Sequence, residues 1–246
     1  MPTLVIGLGQ FSCRPLDRDG NLAQAVAALE EAAAAGAKVA VLPELMTSGY
    51  VLDREMLWPL SESVVDGGPA LTALSATAAR LGLTVVAGFP ERDGDRMYNA
   101  AAVFGPGGEL AGVYRKLHLF AGEAGVFEPG DRGLPVFDVD GLRIGVLICF
   151  DLRFPEAVRI MAMQQADLVA VPTAWVGGFD RDFGAETDIG QVRSARVLAN
   201  LNAVPVACAG QVGQAGPFQF LGSSVVLDPF GRYAGGPAGR HDTTTL

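Results

Sequence analysis

The sequence predicts an α/β fold built on one or more mixed sheets. Short apolar runs typical of strands alternate with helical stretches, and two of the runs return at once through glycine-containing turns. Half of the 246 residues are hydrophobic and 18% are charged, as in globular proteins. A chain of this length suits one α/β domain, so we expect residues 1–246 to form a single domain.

The individual elements follow from apolar periodicity and from the residues that start or end them. We expect Asn21 to cap the first helix and Pro69 to open the second, since Asn and Pro favour those positions. Gly-Pro-Gly-Gly at residues 105–108 and Asp-Gly at residues 140–141 predict two hairpins. The expected strands are residues 4–8, 39–42, 83–89, 100–104, 110–114, 135–139, 142–148, 168–171, 204–207 and 218–227, with a short return near residue 233, and the expected helices are residues 21–36, 69–81, 155–165 and 189–201.

The charge balance disfavours two classes of partner. Eighteen Lys and Arg residues against 27 Asp and Glu residues give a net charge of −9, which argues against nucleic acid and against anionic membrane surfaces. No apolar run approaches the ~20 residues of a membrane-spanning helix, and the N-terminus lacks the basic start of a signal peptide. We therefore expect a cytoplasmic protein that acts on a small molecule.

Cysteine and histidine usage disfavours several kinds of site. Cys13, Cys149 and Cys208 are far apart and odd in number, so neither a disulfide framework nor a cysteine zinc site is indicated. The sequence has two histidines, His118 and His241, which excludes metal sites built on several imidazoles. We expect neither a metal ion nor a cofactor.

Cys149 is the most informative position for chemistry. It ends the apolar run that begins at Ile144 and stands at the turn into a helix that opens at Pro155. A nucleophile at such a turn is exposed at the carboxyl edge of the sheet, and the nearby positive end of a helix favours the thiolate. The alternative is a buried cysteine that serves as a small hydrophobic residue.

A cysteine nucleophile needs a base, and the sequence offers two kinds. Papain-like chemistry would use a histidine, but His241 lies in a polar C-terminal stretch, and His118 alternates with leucines and faces either a pocket or the core. Glu44 follows the apolar residues 39–42, at the carboxyl end of a strand where the sites of α/β sheets lie. A partly desolvated carboxylate there can exchange protons near neutral pH. The alternative is a solvated loop glutamate.

Lys116 is the third candidate. It lies in Tyr114-Arg-Lys-Leu-His-Leu-Phe120, where a basic pair is embedded in an apolar and aromatic stretch after a hairpin strand. A lysine held there can place a fixed positive charge beside a developing oxyanion. The alternative is a surface lysine whose methylene groups cover apolar side chains.

Together these segments resemble the signature motifs of the nitrilase (carbon–nitrogen hydrolase) superfamily. Three motifs occur in the family's order and at roughly its separations: Leu42-Pro-Glu-Leu45, Tyr114-Arg-Lys-Leu-His-Leu-Phe120 and Ile148-Cys-Phe-Asp-Leu-Arg-Phe-Pro-Glu156. Two further segments agree, Phe127-Glu-Pro-Gly-Asp131 and the stretch from Gly222-Ser-Ser to Asp228-Pro-Phe-Gly231. The resemblance covers residues 4–231, which is nearly the whole chain.

The resemblance implies an αββα sandwich and a Glu–Lys–Cys triad. Glu44 would be the general base and Cys149 the nucleophile that forms a thioester. Lys116 would hold the oxyanion together with the backbone N–H of Phe150, which is also expected to contact the substrate. The resemblance further implies a homodimer or a larger homo-oligomer.

Other side chains are candidates around this triad. Glu123 resembles a second active-site glutamate of the family, and Glu128 is its rival. Arg153 is a candidate to bind a substrate carboxylate, or else packs against acidic side chains of the protein. Trp175 follows a strand end and lines the pocket, or else belongs to the core. We also expect His118 to bind substrate.

The resemblance favours hydrolysis of a small linear carboxamide with release of ammonia. Cys149-Phe-Asp-Leu-Arg153 resembles the amidase branches, whereas members that hydrolyse nitriles carry Cys-Trp-Glu-Asn. The stretch Ala199-Asn-Leu-Asn-Ala-Val-Pro-Val206 is similar to carbamoyl-polyamine hydrolases, so an N-carbamoyl (ureido) amine or amino acid is the alternative substrate. A true nitrilase and a non-catalytic binding module are further alternatives. A serine hydrolase is excluded because the sequence has no Gly-x-Ser-x-Gly.

Overall fold

The computed structural model describes residues 4–177 and 189–240, and the backbone of residues 244 and 245. The strands are β1 (Ile6–Gln10), β2 (Val39–Val41), β3 (Thr84–Asp93), β4 (Arg96–Phe104), β5 (Leu110–Arg115), β6 (Val136–Val139), β7 (Leu142–Val146), β8 (Leu168–Thr173), β9 (Val206–Gly210), β10 (Gln214–Ala215), β11 (Phe218–Gln219), β12 (Val225–Leu227), β13 (Tyr233–Gly235) and β14 (Thr244–Thr245). The helices are α1 (Arg18–Ala34), α2 (Arg54–Leu57), α3 (Pro69–Leu81), α4 (Pro155–Met163) and α5 (Gly190–Asn202). Short 3₁₀ turns cover Trp58–Leu60, Ala121–Gly125 and Cys149–Arg153.

The strands form two six-stranded mixed sheets with matching topologies. The first sheet has the order β14-β1-β2-β3-β4-β5 and the second β13-β12-β9-β8-β7-β6. In each sheet three strands run parallel, namely β1, β2 and β3 in one and β7, β8 and β9 in the other. Antiparallel strands flank them, and both predicted hairpins, β4–β5 and β6–β7, are confirmed. The mixed α/β class is therefore as the sequence predicts.

Strand residues alternate between two hydrophobic cores, which defines the layers. Val39 and Val41 of β2 pack into a core shared with the second sheet, whereas Ala40 between them packs into a core with α1 and α3. Helices α4 and α5 cover the second sheet, where Gly145 of β7 makes room for Met161 of α4. The order of layers is helices, sheet, sheet, helices. The αββα sandwich is confirmed.

The start of α1 differs from the prediction. Asp17 caps this helix by accepting a hydrogen bond from the backbone N–H of Gly20 at 3.0 Å. Asn21 is buried inside the helix and makes two hydrogen bonds with the backbone of Arg14, at 2.7 and 2.8 Å. Both residue types favour the capping position. Because the Asn21 side chain binds the backbone of Arg14, the cap is supplied by Asp17.

Two further elements differ from the prediction in the strand-rich regions. β3 and β4 form a long hairpin through Gly94, whose φ is +61°, and this hairpin was not among those predicted. The predicted strand at residues 218–227 is divided into β11 and β12. Gly222 between them has a φ of +58°, a left-handed conformation that interrupts an extended strand.

The carboxyl ends of the two parallel sets meet across the sandwich. The backbone N–H of Glu44, after β2, donates to the carbonyl of Thr173 at the end of β8 at 3.4 Å. Phe11, after β1, forms an isolated parallel bridge with Gln211, after β9. The loops after these strands therefore lie side by side, and the candidate site lies among them. Among the described residues, no helix has the length and apolar character needed to cross a membrane.

Candidate active site

Glu44 is fully buried and held from the opposite sheet. Besides the contact with Thr173, the side chain of Gln211 donates from Nε2 to the backbone carbonyl of Glu44 at 2.6 Å. Gly88 of β3 makes room for this segment, because a Cβ at Gly88 would lie 2.5 Å from the carbonyl oxygen of Pro43 and 2.7 Å from the Cα of Glu44. The Glu44 carboxylate thus extends from a backbone that is fixed on both sides.

Lys116 follows β5 directly, and its side chain is fully buried between two carboxylates. Its Nζ lies 2.7 Å from Glu44 Oε1 and 2.8 Å from Glu123 Oε1. Burial alone would lower the pKa of Lys116, but the two carboxylates outweigh it and raise the pKa, so the ammonium stays charged. The backbone N–H of Gly130 donates to the Lys116 carbonyl at 2.8 Å, and a Cβ at Gly130 would collide with the carbonyl of Arg115. This contact explains the glycine in the Phe127–Asp131 segment.

Glu123 lies in the 3₁₀ turn Ala121–Gly125 and is fully buried. Besides Lys116, its Oε1 accepts the hydroxyl of Tyr50 at 2.7 Å, and its Oε2 accepts the backbone N–H of Phe120 at 2.8 Å. Glu128, the rival candidate, is exposed. The structure therefore brings Glu123, and not Glu128, to the side of Lys116.

Asn99 of β4 completes this buried cluster. Its Nδ2 donates to Glu44 Oε1 at 2.7 Å and to Glu123 Oε1 at 3.3 Å. Within the part of the chain that the structure describes, Glu44 Oε2 and Asn99 Oδ1 are buried and have no hydrogen-bond partner. Burial raises the pKa of Glu44, although the Lys116 ammonium and the Asn99 amide oppose this. The cluster thus holds a carboxylate oxygen that is able to accept a proton.

Cys149 opens the 3₁₀ turn after β7 and has a φ of +46°. A left-handed conformation is uncommon for a residue other than glycine and concentrates at functional sites. The strand ends at Val146 and α4 begins only at Pro155, so Cys149 stands apart from both, and it is not the last residue of the strand. Burial raises the pKa of the Cys149 thiol and the charge of Glu44 raises it further, whereas the charge of Lys116 lowers it. A thiol whose pKa is raised in this way needs a base to lose its proton.

Asp151 ties the Cys149 turn to the segment that carries Lys116. Its carboxylate accepts the Tyr114 hydroxyl at 2.7 Å and the backbone N–H of His118 at 3.0 Å, and it lies 2.8 Å from His118 Nδ1. The His118 ring also stacks on Phe154, with centroids 3.5 Å apart. His118 belongs to this brace and is not among the residues that line the cavity on Cys149.

A cavity opens on Cys149, and four aromatic side chains lie on its wall. Phe150, Arg153 and Trp175, all expected near the substrate, lie on its wall. Trp175 also belongs to the hydrophobic core, so both interpretations of this residue hold. The other lining residues are Tyr50, Phe120, Leu152, Ala174, Val176, Gln191 and Ser194. In the described ranges, no cluster of three or more His, Cys, Asp or Glu residues could hold a metal ion.

Comparison with known proteins assigns the family. The family model for carbon-nitrogen hydrolases matches residues 5–246. The chain belongs to the carbon–nitrogen hydrolase family. A nitrilase of Pyrococcus abyssi is 37% identical over 221 residues, which cover 89% of this chain and 79% of that protein. An N-carbamoylputrescine amidase of Arabidopsis thaliana is 31% identical over 242 residues, which cover 93% of this chain and 80% of the relative.

A solved structure of this family extends the likeness to the fold and to the cysteine. A variant of the amidase from Nesterenkonia sp. AN1, with acrylamide added to its active-site cysteine, superposes with a TM-score of 0.83 at 29% identity. The match covers 99% of this chain and 91% of that structure. This carbon–nitrogen hydrolase is therefore an enzyme of a family for which a Glu–Lys–Cys triad is standard.

Among the residues that the sequence did not predict for the site, Tyr50, Asn99 and Gln211 hydrogen-bond directly to Glu44 or Glu123. Asn99 carries a local signal, because it is an amide in the otherwise apolar run from Met97 to Phe104, and a buried amide needs a partner. Tyr50 and Gln211 each follow a glycine, and no comparable feature of the local sequence marks either of them as a site residue. His241, the alternative base, lies outside the described residues.

Proposed function

We propose that this enzyme hydrolyses a small linear carboxamide to a carboxylic acid and ammonia through a thioester on Cys149. The observation that carries the proposal is the buried cluster of Glu44, Lys116 and Glu123 beside the cavity that opens on the thiol. Burying such charges costs several kcal/mol per ion relative to water. A module that only binds would gain nothing from this arrangement, whereas a proton-transfer site requires it.

Acylation begins with the thiol. Glu44 takes the proton from Cys149 while the sulfur forms a bond to the amide carbon. Two N–H bonds of Lys116 face Glu44 and Glu123, and the remaining one holds the developing oxyanion together with the backbone N–H of Phe150. The C–N bond then breaks, the proton on Glu44 passes to the leaving nitrogen, and ammonia departs.

Deacylation repeats the same steps with water. Glu44 removes a proton from a water molecule, whose oxygen attacks the thioester carbon. The C–S bond breaks, the sulfur recovers the proton from Glu44, and the acid leaves. Glu123 holds Lys116 in place throughout, because its Oε1 accepts from both Lys116 and Tyr50.

The cavity wall supports a small acyl group. Phe150 and Trp175 present aromatic surface, which suits an apolar chain. Arg153 is exposed on the same wall, where it would pair with a carboxylate at the far end of the substrate. The likeness to an N-carbamoylputrescine amidase supports a ureido substrate as the second candidate. The two differ in product, since ureido hydrolysis also releases carbon dioxide.

Three statements about the whole protein are part of the proposal. We propose one domain over residues 1–246, a homo-oligomer and a cytoplasmic location. Exposed apolar side chains on and beside α5 support the homo-oligomer, because Val197, Leu201 and Phe230 are each more than half exposed. The expectations that nucleic acid and membranes are not partners rest on the net charge and the apolar pattern of the sequence.

Product analysis tests the function. The purified protein is incubated with short carboxamides, ω-amides of dicarboxylic acids, ureido compounds and nitriles, and ammonia, carbon dioxide and the acid product are measured. We expect carboxamides to be turned over fastest, Cys149→Ala to be inactive and Cys208→Ala to retain activity, since Cys208 is buried in the core away from the cavity. Conversion of nitriles alone, or no ammonia from any substrate, would contradict the proposal.

A further inference from the structure

The side chain of Asn99 makes contacts that the mechanism above does not use. We propose that Asn99 is a positioning residue that determines which oxygen of Glu44 accepts the thiol proton. The inference rests on the proposed function, in which Glu44 is the general base.

The two oxygens of Glu44 have different surroundings. Oε1 accepts from Lys116 Nζ and from Asn99 Nδ2, both at 2.7 Å. Oε2 is buried and, among the described residues, has no partner. Donors on one oxygen reduce its ability to take a proton, and a buried acceptor without a donor is costly to keep. Oε2 is therefore the more basic oxygen and the one that accepts the proton.

The amide of Asn99 can adopt one orientation in this cluster. Its Nδ2 lies between the carboxylates of Glu44 and Glu123, whereas its Oδ1 has no partner in the described part of the chain. Turning the amide over would place Oδ1 against two negative oxygens, which repel it. Electrostatics therefore fixes the donor toward Glu44, at the cost of one unpaired amide oxygen.

The backbone of Asn99 also holds Lys116, the second donor to Glu44 Oε1, in place. Asn99 lies in the middle of β4, paired with Pro90 of β3, and its carbonyl accepts the backbone N–H of Lys116 at 2.8 Å. The two donors on Glu44 Oε1 thus come from one rigid hairpin. With Lys116 alone, the carboxylate could rotate and exchange its two oxygens, and loss of the neutral donor would raise the pKa of Glu44 further.

Variants of Asn99 test this inference through the pH profile. Asn99→Leu removes the donor and the unpaired oxygen while keeping the branched shape of the side chain, and Asn21→Leu is the control for the same change at a buried asparagine outside the site. For Asn99→Leu we expect kcat to fall about 10- to 100-fold with little change in KM, and the acid limb of kcat/KM to move up by about one pH unit. Asn99→Asp should be more active than Asn99→Leu at pH values where the new carboxyl is protonated and can donate to an ionised Glu44, and should lose this advantage as pH rises and the new carboxyl ionises.

A second measurement reports on the thiol without turnover. The rate at which iodoacetamide modifies Cys149, followed by peptide mass spectrometry, should rise at higher pH in Asn99→Leu than in the wild type. An unchanged pH profile and alkylation rate in folded Asn99→Leu would overturn the inference, and so would an equal shift in Asn21→Leu. If Asn99→Leu does not fold, a profile for Asn99→Asp that matches the wild type overturns it. Turnover that survives Cys149→Ala would instead refute the proposed function.

Discussion

Arg115 and Lys116 are neighbours in the chain, yet their buried side chains enter two different ionic clusters. Arg115 lies with Glu91, Asp93 and Asp131 on the side away from the site. Lys116 lies with Glu44 and Glu123 beside the cavity. Both side chains are at most 2% exposed, so burial alone does not distinguish a structural cluster from a reactive one.

The Arg115 cluster is saturated with hydrogen bonds. Glu91 accepts from Arg115 Nε and Nη2 at 2.7 Å each, and Asp93 and Asp131 accept the remaining donors at 2.8 and 2.9 Å. The guanidinium also stacks on the Tyr98 ring, 3.8 Å from its centroid. Each guanidinium nitrogen of Arg115 donates to a carboxylate, and the cluster braces the end of β5.

The Lys116 cluster is not saturated. Within the described part of the chain, Glu44 Oε2 and Asn99 Oδ1 are buried without partners. An unsatisfied polar atom in a native structure calls for an explanation, and proton transfer from Cys149 provides one. The difference between the two clusters is thus a difference in unused hydrogen-bonding capacity, and it marks the Lys116 side as the reactive one.

Replacing the cation of the reactive cluster should have the largest effect on activity. We expect Lys116→Met to lower kcat by about 10²- to 10³-fold, because the oxyanion loses a charged donor. The fold should persist, since Glu44, whose pKa burial already raises, can take up a proton. Ammonia release and thermal unfolding measure the two effects. Near-normal turnover in a folded variant would remove Lys116 from the mechanism.

Replacing the cation of the saturated cluster should affect stability instead. We expect Arg115→Met to lower the free energy of unfolding by about 3–5 kcal/mol, because the buried Glu91 would keep only the longer contact with Arg132, at 3.3 Å. Arg80→Met, which breaks a half-exposed pair with Glu30, should cost less than about 1 kcal/mol. Denaturant unfolding measures both values. If Arg115→Met instead kept its stability and lost its activity, the two clusters would not differ as argued.

The pH dependence of activity should follow the reactive cluster. Glu44 acts as a base only when it is ionised, and burial raises its pKa. As the pH is lowered, kcat/KM should therefore begin to fall at a pH above about 4.3, the ordinary pKa of glutamate. The contribution of Glu44 to stability has the opposite sign, since it is present below the unfolded pKa and is lost as pH rises through the folded pKa. Parallel activity and unfolding titrations would show the two trends. An acid limb at or below about 4.3 would refute this assignment.

Replacing Gly88, the glycine that leaves room for the backbone of Glu44, should have a smaller effect on activity and stability. We expect Gly88→Ala to lower stability by about 1–3 kcal/mol and to reduce kcat, because its Cβ would press on the backbone of Pro43 and Glu44. A Cβ at Gly125 meets nothing within 4 Å, so Gly125→Ala is the control. Unfolding and turnover of both variants check the expectation, which fails if the two behave alike.

The sequence predicted the groups that follow apolar strands. Glu44 and Lys116 stand at strand ends, and the carboxyl edge of a sheet is where such groups meet. Burial and the charge of Glu44 raise the thiol pKa of Cys149, and Glu44 lies 105 positions earlier in the chain, so the local pattern around Cys149 suggested the opposite shift. Likewise, the partner of His118 is Asp151, which lies 33 residues further along the chain.

Contacts between residues far apart in the chain were the least predictable part of the site. Gln211 reaches Glu44 from the opposite sheet, 167 residues away. Asn99 reaches it from another strand of the same sheet, 55 residues away. Local patterns specify which face of a strand is buried, but they do not specify which polar groups meet between sheets. Hydrogen bonds of this kind depend on the register of both sheets.

Trapping the acyl-enzyme tests the central claim most directly. The wild type and Glu44→Gln are mixed with a substrate amide, quenched in acid and analysed by peptide mass spectrometry, with hydroxylamine added in a parallel reaction to intercept the thioester as a hydroxamate. The account predicts an acyl adduct on Cys149, none on Cys13 or Cys208, and slow adduct formation in Glu44→Gln at neutral pH. An adduct on another residue, or acylation of Glu44→Gln at the wild-type rate, would contradict it.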